Sequence, residues 1–178
     1  MRRKLRSTGG LTLVEMLCAA AILVLLCLLM STGMQMAVRS YDRLTAESET
    51  RLLLGSLSDA LIDKLRYTVV TQEGEASFWS IGELKPVDGK IVVEETNASG
   101  GKTVKQLLPD GAYGTGGWEY SVECVEEDGE KLPLVRYEEG NFIVNFKVAW
   151  KKDKSVSAQT PADGLVIRCL NPVRSEKS

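Results

Sequence analysis

The sequence predicts an α+β fold. One long N-terminal helix, transmembrane in its first half and amphipathic in its second, packs on a mostly antiparallel β-sheet. Three observations predict it. Leu11 to Met30 is a run of 20 residues with a single charge, Glu15. Further on, Leu54, Leu57, Leu61 and Leu65 recur at spacings of 3, 4 and 4. After Val69-Val70 the apolar period shifts toward two, and Gly, Pro, Asn and Asp separate short runs.

Residues 1–10 form a basic leader with Arg2, Arg3, Lys4 and Arg6 and no acid. Residues 11–30 match the roughly 20 apolar residues of one bilayer crossing. The basic flank keeps the N-terminus cytoplasmic, so the rest of the chain is expected to be exported. A secretory signal has an apolar stretch of about 7–15 residues followed by a small-residue cleavage site. This run is longer, carries Glu15 near its start and ends in Leu28-Leu29-Met30-Ser31-Thr32. A lipoprotein signal would need small residues before a Cys, whereas Leu17 and Leu26 precede Cys18 and Cys27. Glu15 is the odd residue. A carboxylate at the centre of a membrane helix costs about 2.5–3.5 kcal/mol, and such residues are usually paired and functional. Near the cytoplasmic end Glu15 can also reach toward water, at a smaller cost.

Residues 31–67 continue as an amphipathic helix. The leucine stripe, widened by Leu53 and Ile62, leaves Asp59, Asp63 and Lys64 off its line. The preceding part, Met34 to Arg51, is more polar, with only Met34, Val38 and Tyr41 as a narrow stripe. The first proline is Pro86, so no proline kink is expected in the helix.

Residues 68–170 are predicted to be a globular β-rich domain. Weak strands are expected over Ser77–Ile81 and Lys90–Glu95. Trp118, Tyr120, Val122 and Cys124 alternate with polar residues as a half-buried strand. Phe142, Val144, Phe146, Val148 and Trp150 mark one long strand, and Leu165, Ile167 and Cys169 another. Leu134–Tyr137 lies between the first two. Asp128-Gly129 and Glu139-Gly140-Asn141 supply turns. The expected sheet is a meander whose apolar face covers the leucine stripe, since neither element can bury its own apolar side. Residues 171–178 read as a disordered tail.

The chain has 178 residues, enough for one membrane segment and one modest domain. Removing the leader takes four of the 22 basic residues and none of the 24 acids, which moves the formal charge from −2 to −6. That balance disfavours non-specific DNA binding through phosphates, and no direct nucleic-acid partner is expected. Cys18 and Cys27 fall about half a turn apart around the helix and read as small apolar residues. Cys124 and Cys169 lie in the exported part, where a disulfide can persist, and the sequence leaves open whether they are bonded or free. There is no histidine and no CxxC, so a zinc site or a histidine-based triad has no material.

The glycine-rich stretch Asp110–Gly117 precedes a strand rather than a helix, which argues against a phosphate loop. Asn97-Ala98-Ser99 matches a glycosylation triplet but reads as a turn. Glu123, Glu126, Glu127, Asp128 and Glu130 crowd one hairpin. Calcium needs six to eight converging oxygens, so a solvated acidic turn is the expectation. No nucleophile stands beside a visible base; no enzyme activity, cofactor or metal is expected.

Gly10-Leu11-Thr12-Leu13-Val14-Glu15, after a short basic leader and before a long apolar helix, resembles the prepilin cleavage signal of the type IV pilin and pseudopilin families. That resemblance implies cleavage between Gly10 and Leu11 by a membrane prepilin peptidase and N-methylation of Leu11. It implies that Glu15 pairs in a filament with the amine of a neighbouring subunit. It also implies other pilin or pseudopilin subunits and an inner-membrane assembly platform as partners. The runs Asn145–Trp150 and Asp163–Arg168 are similar to the end of the J-type minor pseudopilin of type II secretion and its pilus-assembly relatives. A tip-associated subunit that helps begin a filament is what this implies, without saying whether the machine serves secretion, competence, adhesion or motility. The alternative from another class is a single-pass membrane-anchored module whose sheet domain binds or adheres by itself.

Overall fold

The computed structural model describes residues 12–68, 83–96, 101–127 and 129–170. The leader, the Gly10–Leu11 junction, the strand expected over Ser77–Ile81, the Asn97-Ala98-Ser99 triplet, Asp128 and the tail lie outside them. The fold is α+β, and among the described residues all the strand pairings are antiparallel. Helix α1 runs Leu13–Arg66. The chain divides into two compact units, Met1–Arg43 and Leu44–Ser178.

In the first unit, α1 is apolar all round through its first half. Leu17, Leu23, Leu25 and Leu28 are all exposed. This is a helix long and apolar enough to cross a membrane, and among the described residues nothing buries its apolar stretch. A core helix of a soluble domain would have covered it.

In the second unit, α1 buries Ala46, Thr50, Leu53, Leu57, Leu61 and Leu65, while Leu54 and Ile62 are half-buried. The expected stripe is present, with Leu53 rather than Leu54 at its centre. It extends about two turns further through the small residues Thr50 and Ala46. Arg66 ends the helix, and its last carbonyls are satisfied in several ways. Thr68 N–H donates to Leu65 O at 3.1 Å, Thr68 Oγ1 to Lys64 O at 2.7 Å, and Leu170 N–H to Arg66 O at 3.0 Å.

Among the described residues the strands form three small sheets and one hairpin rather than one meander. β1 (Glu83–Val87), β2 (Lys90–Thr96) and β3 (Lys102–Gln106) make the first, in that order. A 3₁₀ turn over Asp110–Tyr113 follows. β4 (Tyr120–Glu123) leads to the hairpin of β5 (Glu126–Glu127) and β6 (Glu130–Lys131). β7 (Val135–Glu138), β8 (Asn141–Val144), β9 (Lys147–Trp150), β10 (Ser157–Gln159) and β11 (Leu165–Arg168) complete the chain. The second sheet has the order β10-β9-β4 and the third β11-β8-β7. The long strand expected over Phe142–Trp150 is therefore two strands that change partners at Asn145-Phe146. Asn145 N–H donates to Leu134 O at 2.9 Å, and Phe146 N–H to Thr160 Oγ1 at 3.3 Å. The break takes two residues, so the pleat keeps its parity. Phe142, Val144, Phe146, Val148 and Trp150 all stay buried in one core with the leucines of α1.

Asp88-Gly89 and Glu139-Gly140 both turn with positive φ, closing two-residue hairpins. On the outer face of the first sheet, Glu94 is 8% exposed and is clamped by Lys102 at 2.6 Å and Lys85 at 2.5 Å. Lys102 first, and Lys85 with it, hold its carboxyl down at about 2 against 4.5 for a free side chain. A lowered folded-state value means the contribution of these pairs is complete above about pH 4.5 and is lost as pH falls toward 2. Amide-exchange protection of β3 is expected to fall over that window, and Glu94→Gln is expected to lower it at neutral pH and remove the pH dependence. Unchanged β3 protection in Glu94→Gln would show that the clamp does not hold the strand.

Candidate functional site

Of the residues to which the sequence assigned a role in assembly, Glu15 is described, and it stands at the start of α1. Thr12 precedes the helix and Glu15 is in its first turn. Thr12 Oγ1 accepts from Glu15 N–H at 3.3 Å. The Glu15 carboxylate in turn accepts from Thr12 N–H at 3.2 Å and from the Thr12 hydroxyl at 3.3 Å. Met16 N–H donates to Thr12 O at 3.1 Å, which starts the helical ladder. This is a reciprocal capping box: each side chain satisfies an amide that the first turn leaves without a partner. The negative charge of Glu15 also suits the positive end of the helix dipole. Thr12 is the residue that the sequence reading missed. Its signal was present, since Thr-x-x-Glu ahead of an apolar run is the capping-box pattern.

Glu15 thus has a local structural role in the isolated chain. Both Thr12 and Glu15 are exposed, so the carboxylate is accessible to a second partner without unpacking anything. Gly10 and Leu11, the expected cleavage junction, lie outside the described residues.

Cys124 and Cys169 are free thiols. The disulfide that the sequence left open is not formed. Cys124 follows β4 in the second sheet, while Cys169 follows β11 in the third. The Cys169 thiol is buried and donates to Thr68 O at 3.3 Å, at the end of α1. Cys169 N–H donates to Gly140 O at 3.1 Å, so this residue straps the last strand to the rest of the domain. Burial pushes the Cys124 thiol up, against the smaller opposing pull of Lys131. That disfavours the reactive thiolate. Cys18 and Cys27 are exposed on the apolar part of α1.

The glycine-rich stretch is structural. Gly114 and Gly116 have positive φ, and the loop they shape carries Trp118 onto Trp150, with ring centroids 5.5 Å apart and planes 14° from parallel. Trp150 Nε1–H donates to Gly117 O at 3.1 Å. Among the described residues, no three of the metal-ligating types converge, the acidic hairpin included. Comparison with known proteins finds no matching family model, curated protein or solved structure.

Proposed function

We propose that this chain is a minor pilin or pseudopilin subunit that assembles through its N-terminal helix into a type IV pilus-like or type II secretion-type filament, at the tip or during initiation. The observation that carries this reading is the start of α1. An apolar helix that none of the described residues covers begins with an accessible carboxylate, Glu15, five residues past a Gly10–Leu11 junction with a basic leader before it. A free apolar helix with one charge in its first turn suits a helix that inserts in a membrane and then packs among its own kind, where that charge meets an opposite one. The architecture, a long apolar helix leading into an antiparallel sheet domain, is pilin-like and supports the same reading. The proposed partners are a prepilin peptidase, the other filament subunits and the inner-membrane assembly platform. The proposed topology has a cytoplasmic N-terminus and an exported sheet domain.

The test is intact-mass and N-terminal peptide analysis of the protein from its native membrane. The expected chain begins at N-methylated Leu11. A chain that keeps Arg2 to Gly10 in cells with an active prepilin peptidase would overturn the proposal and leave a plain single-pass anchor with a binding domain.

A further inference from the structure

We propose that the outer edge of β11 pairs with β11 of a second copy of this chain across a two-fold axis. Cys169 N–H donates to Gly140 O at 3.1 Å, which extends the β8–β11 ladder past Arg168 and Asn141. Backbone groups alternate in direction along an antiparallel strand. Leu165 and Ile167 therefore turn their N–H and C=O toward β8, and Val166 and Arg168 turn theirs away from it. Among the described residues β11 is paired with β8 alone, and no hydrogen bond reaches the N–H or C=O of Val166 or Arg168. The open edge ends where Leu170 N–H donates to Arg66 O at 3.0 Å.

This edge is apolar. Residues 165–170 hold a single charge, Arg168, and neither proline nor lysine. Val166 is 58% exposed and Leu170 55%. Free edges are commonly blunted with proline or lysine, as Pro86 does in β1 and Lys102 and Lys105 do in β3. An edge that lacks both and shows a valine to solvent suits an added strand.

Two charges select which strand. Asp163 lies just before β11 and Arg168 ends it. Both are exposed, and among the described residues neither has an ion-pair partner. Antiparallel pairing of two copies carries each Arg168 toward the Asp163 of the other. Bonded partners must both turn outward, which leaves two registers. One sets Val166 opposite Arg168 and makes the two arginines diagonal neighbours, where like charges repel. The other sets Val166 opposite Val166 on the axis and Arg168 opposite Gly164, beside Asp163. The second register covers the valine and forms two Arg168–Asp163 pairs, one on each side of the axis. The contact is isologous, so it closes at two copies. It joins sheet domains and does not depend on cleavage of the leader, so its test and the preceding one fail independently.

The experiment uses the full-length chain in detergent with Cys18→Ala and Cys27→Ala, which remove the two exposed thiols. Val166→Cys is added to it, and Val104→Cys, equally exposed, is the collision control. Opposite residues of a bonded pair lie about 5.5 Å apart at Cα, within the reach of a disulfide. Mild oxidation is expected to join Val166→Cys chains through position 166, mapped by peptide mass, and to leave the control monomeric. Arg168→Glu is expected to lower the dimer yield about tenfold. Asp163→Arg alone is expected to lower it as much, and the two changes together to restore it. A yield no higher than the control's, disulfides to Cys124 or Cys169 instead, or a yield that ignores the reversals or is not restored by the pair would overturn the proposal.

Discussion

Glu15→Val is expected to lower incorporation of this chain into filaments by at least about tenfold, with the sheet domain still folded. The measurement is the fraction of the chain in sheared filaments against the fraction left in the membrane, with tryptophan fluorescence as the folding control. The capping box makes this prediction sharper than a single substitution. Glu15 caps the helix and, in the proposed assembly, supplies a charge, and different replacements separate the two. Glu15→Gln keeps an oxygen that accepts from Thr12 but has no charge. Thr12→Ala keeps the charge but removes the hydroxyl that both accepts from Glu15 N–H and donates to its carboxylate. Loss of such a cap costs about 1 kcal/mol of helix stability. That is a modest cost for a helix that, in the proposed topology, a bilayer holds in place. Loss of an opposite charge in a low-dielectric interior costs more, because the attraction grows as the dielectric falls and the partner amine is left buried and unpaired. If Glu15 acts by pairing between subunits, Gln fails as Val does and Thr12→Ala assembles nearly normally. The opposite order, with Gln near normal and Thr12→Ala as poor as Val, would leave the cap as the whole role of Glu15.

The same residues show what the sequence could and could not say. Helix α1 and its buried stripe were legible because Leu54, Leu57, Leu61 and Leu65, widened by Leu53, repeat at helical spacing, and the core follows that repeat with Leu53 in the place of Leu54. The strands of the core were legible where apolar residues alternate, as in β4, β8, β9 and β11. β1 was hidden by Pro86, which argues against a strand until its outward-facing edge position is known. β3 was hidden because it buries nothing: Val104, its one apolar residue, points into solvent, so no alternation marks it. The division of 141–150 between two sheets was invisible for a different reason. Side-chain parity is kept through Asn145-Phe146, and only the hydrogen-bond partners change. At the candidate site the carboxylate was legible from its place in an apolar run. Its threonine partner was overlooked because Thr12 is unremarkable until the spacing to Glu15 is read as a cap.

Gly114→Ala is expected to destabilise the sheet domain by about 3 kcal/mol or more. Gly114 has φ 78° and ψ 175°, a conformation essentially closed to residues with a side chain. A Cβ there would sit 1.8 Å from the carbonyl oxygen of Trp118 and 3.3 Å from the Tyr120 ring. A flexible side chain could swing aside, but a backbone carbonyl cannot move without the loop. Trp118 N–H donates to Thr115 O, and Gly114 N–H to Gly111 O, both at 3.3 Å, so the displaced segment is tied at both ends. The cost is therefore paid in the stack of Trp118 on Trp150 and in the seating of Tyr120, which is buried at the start of β4. Gly116 provides the control within the same loop. Its φ is also positive, at 66°, but a Cβ there meets nothing within 4 Å. Gly116→Ala is expected to cost only about 1–2 kcal/mol, the penalty for a left-handed residue alone. Denaturant midpoints of the full-length variants in detergent, read by tryptophan fluorescence and near-ultraviolet circular dichroism, measure both. Equal losses would mean that backbone conformation alone sets the cost. A Gly114 loss well beyond that of Gly116, with the tryptophan signal altered in the native baseline, would place it in the contact between this loop and the core strand β9.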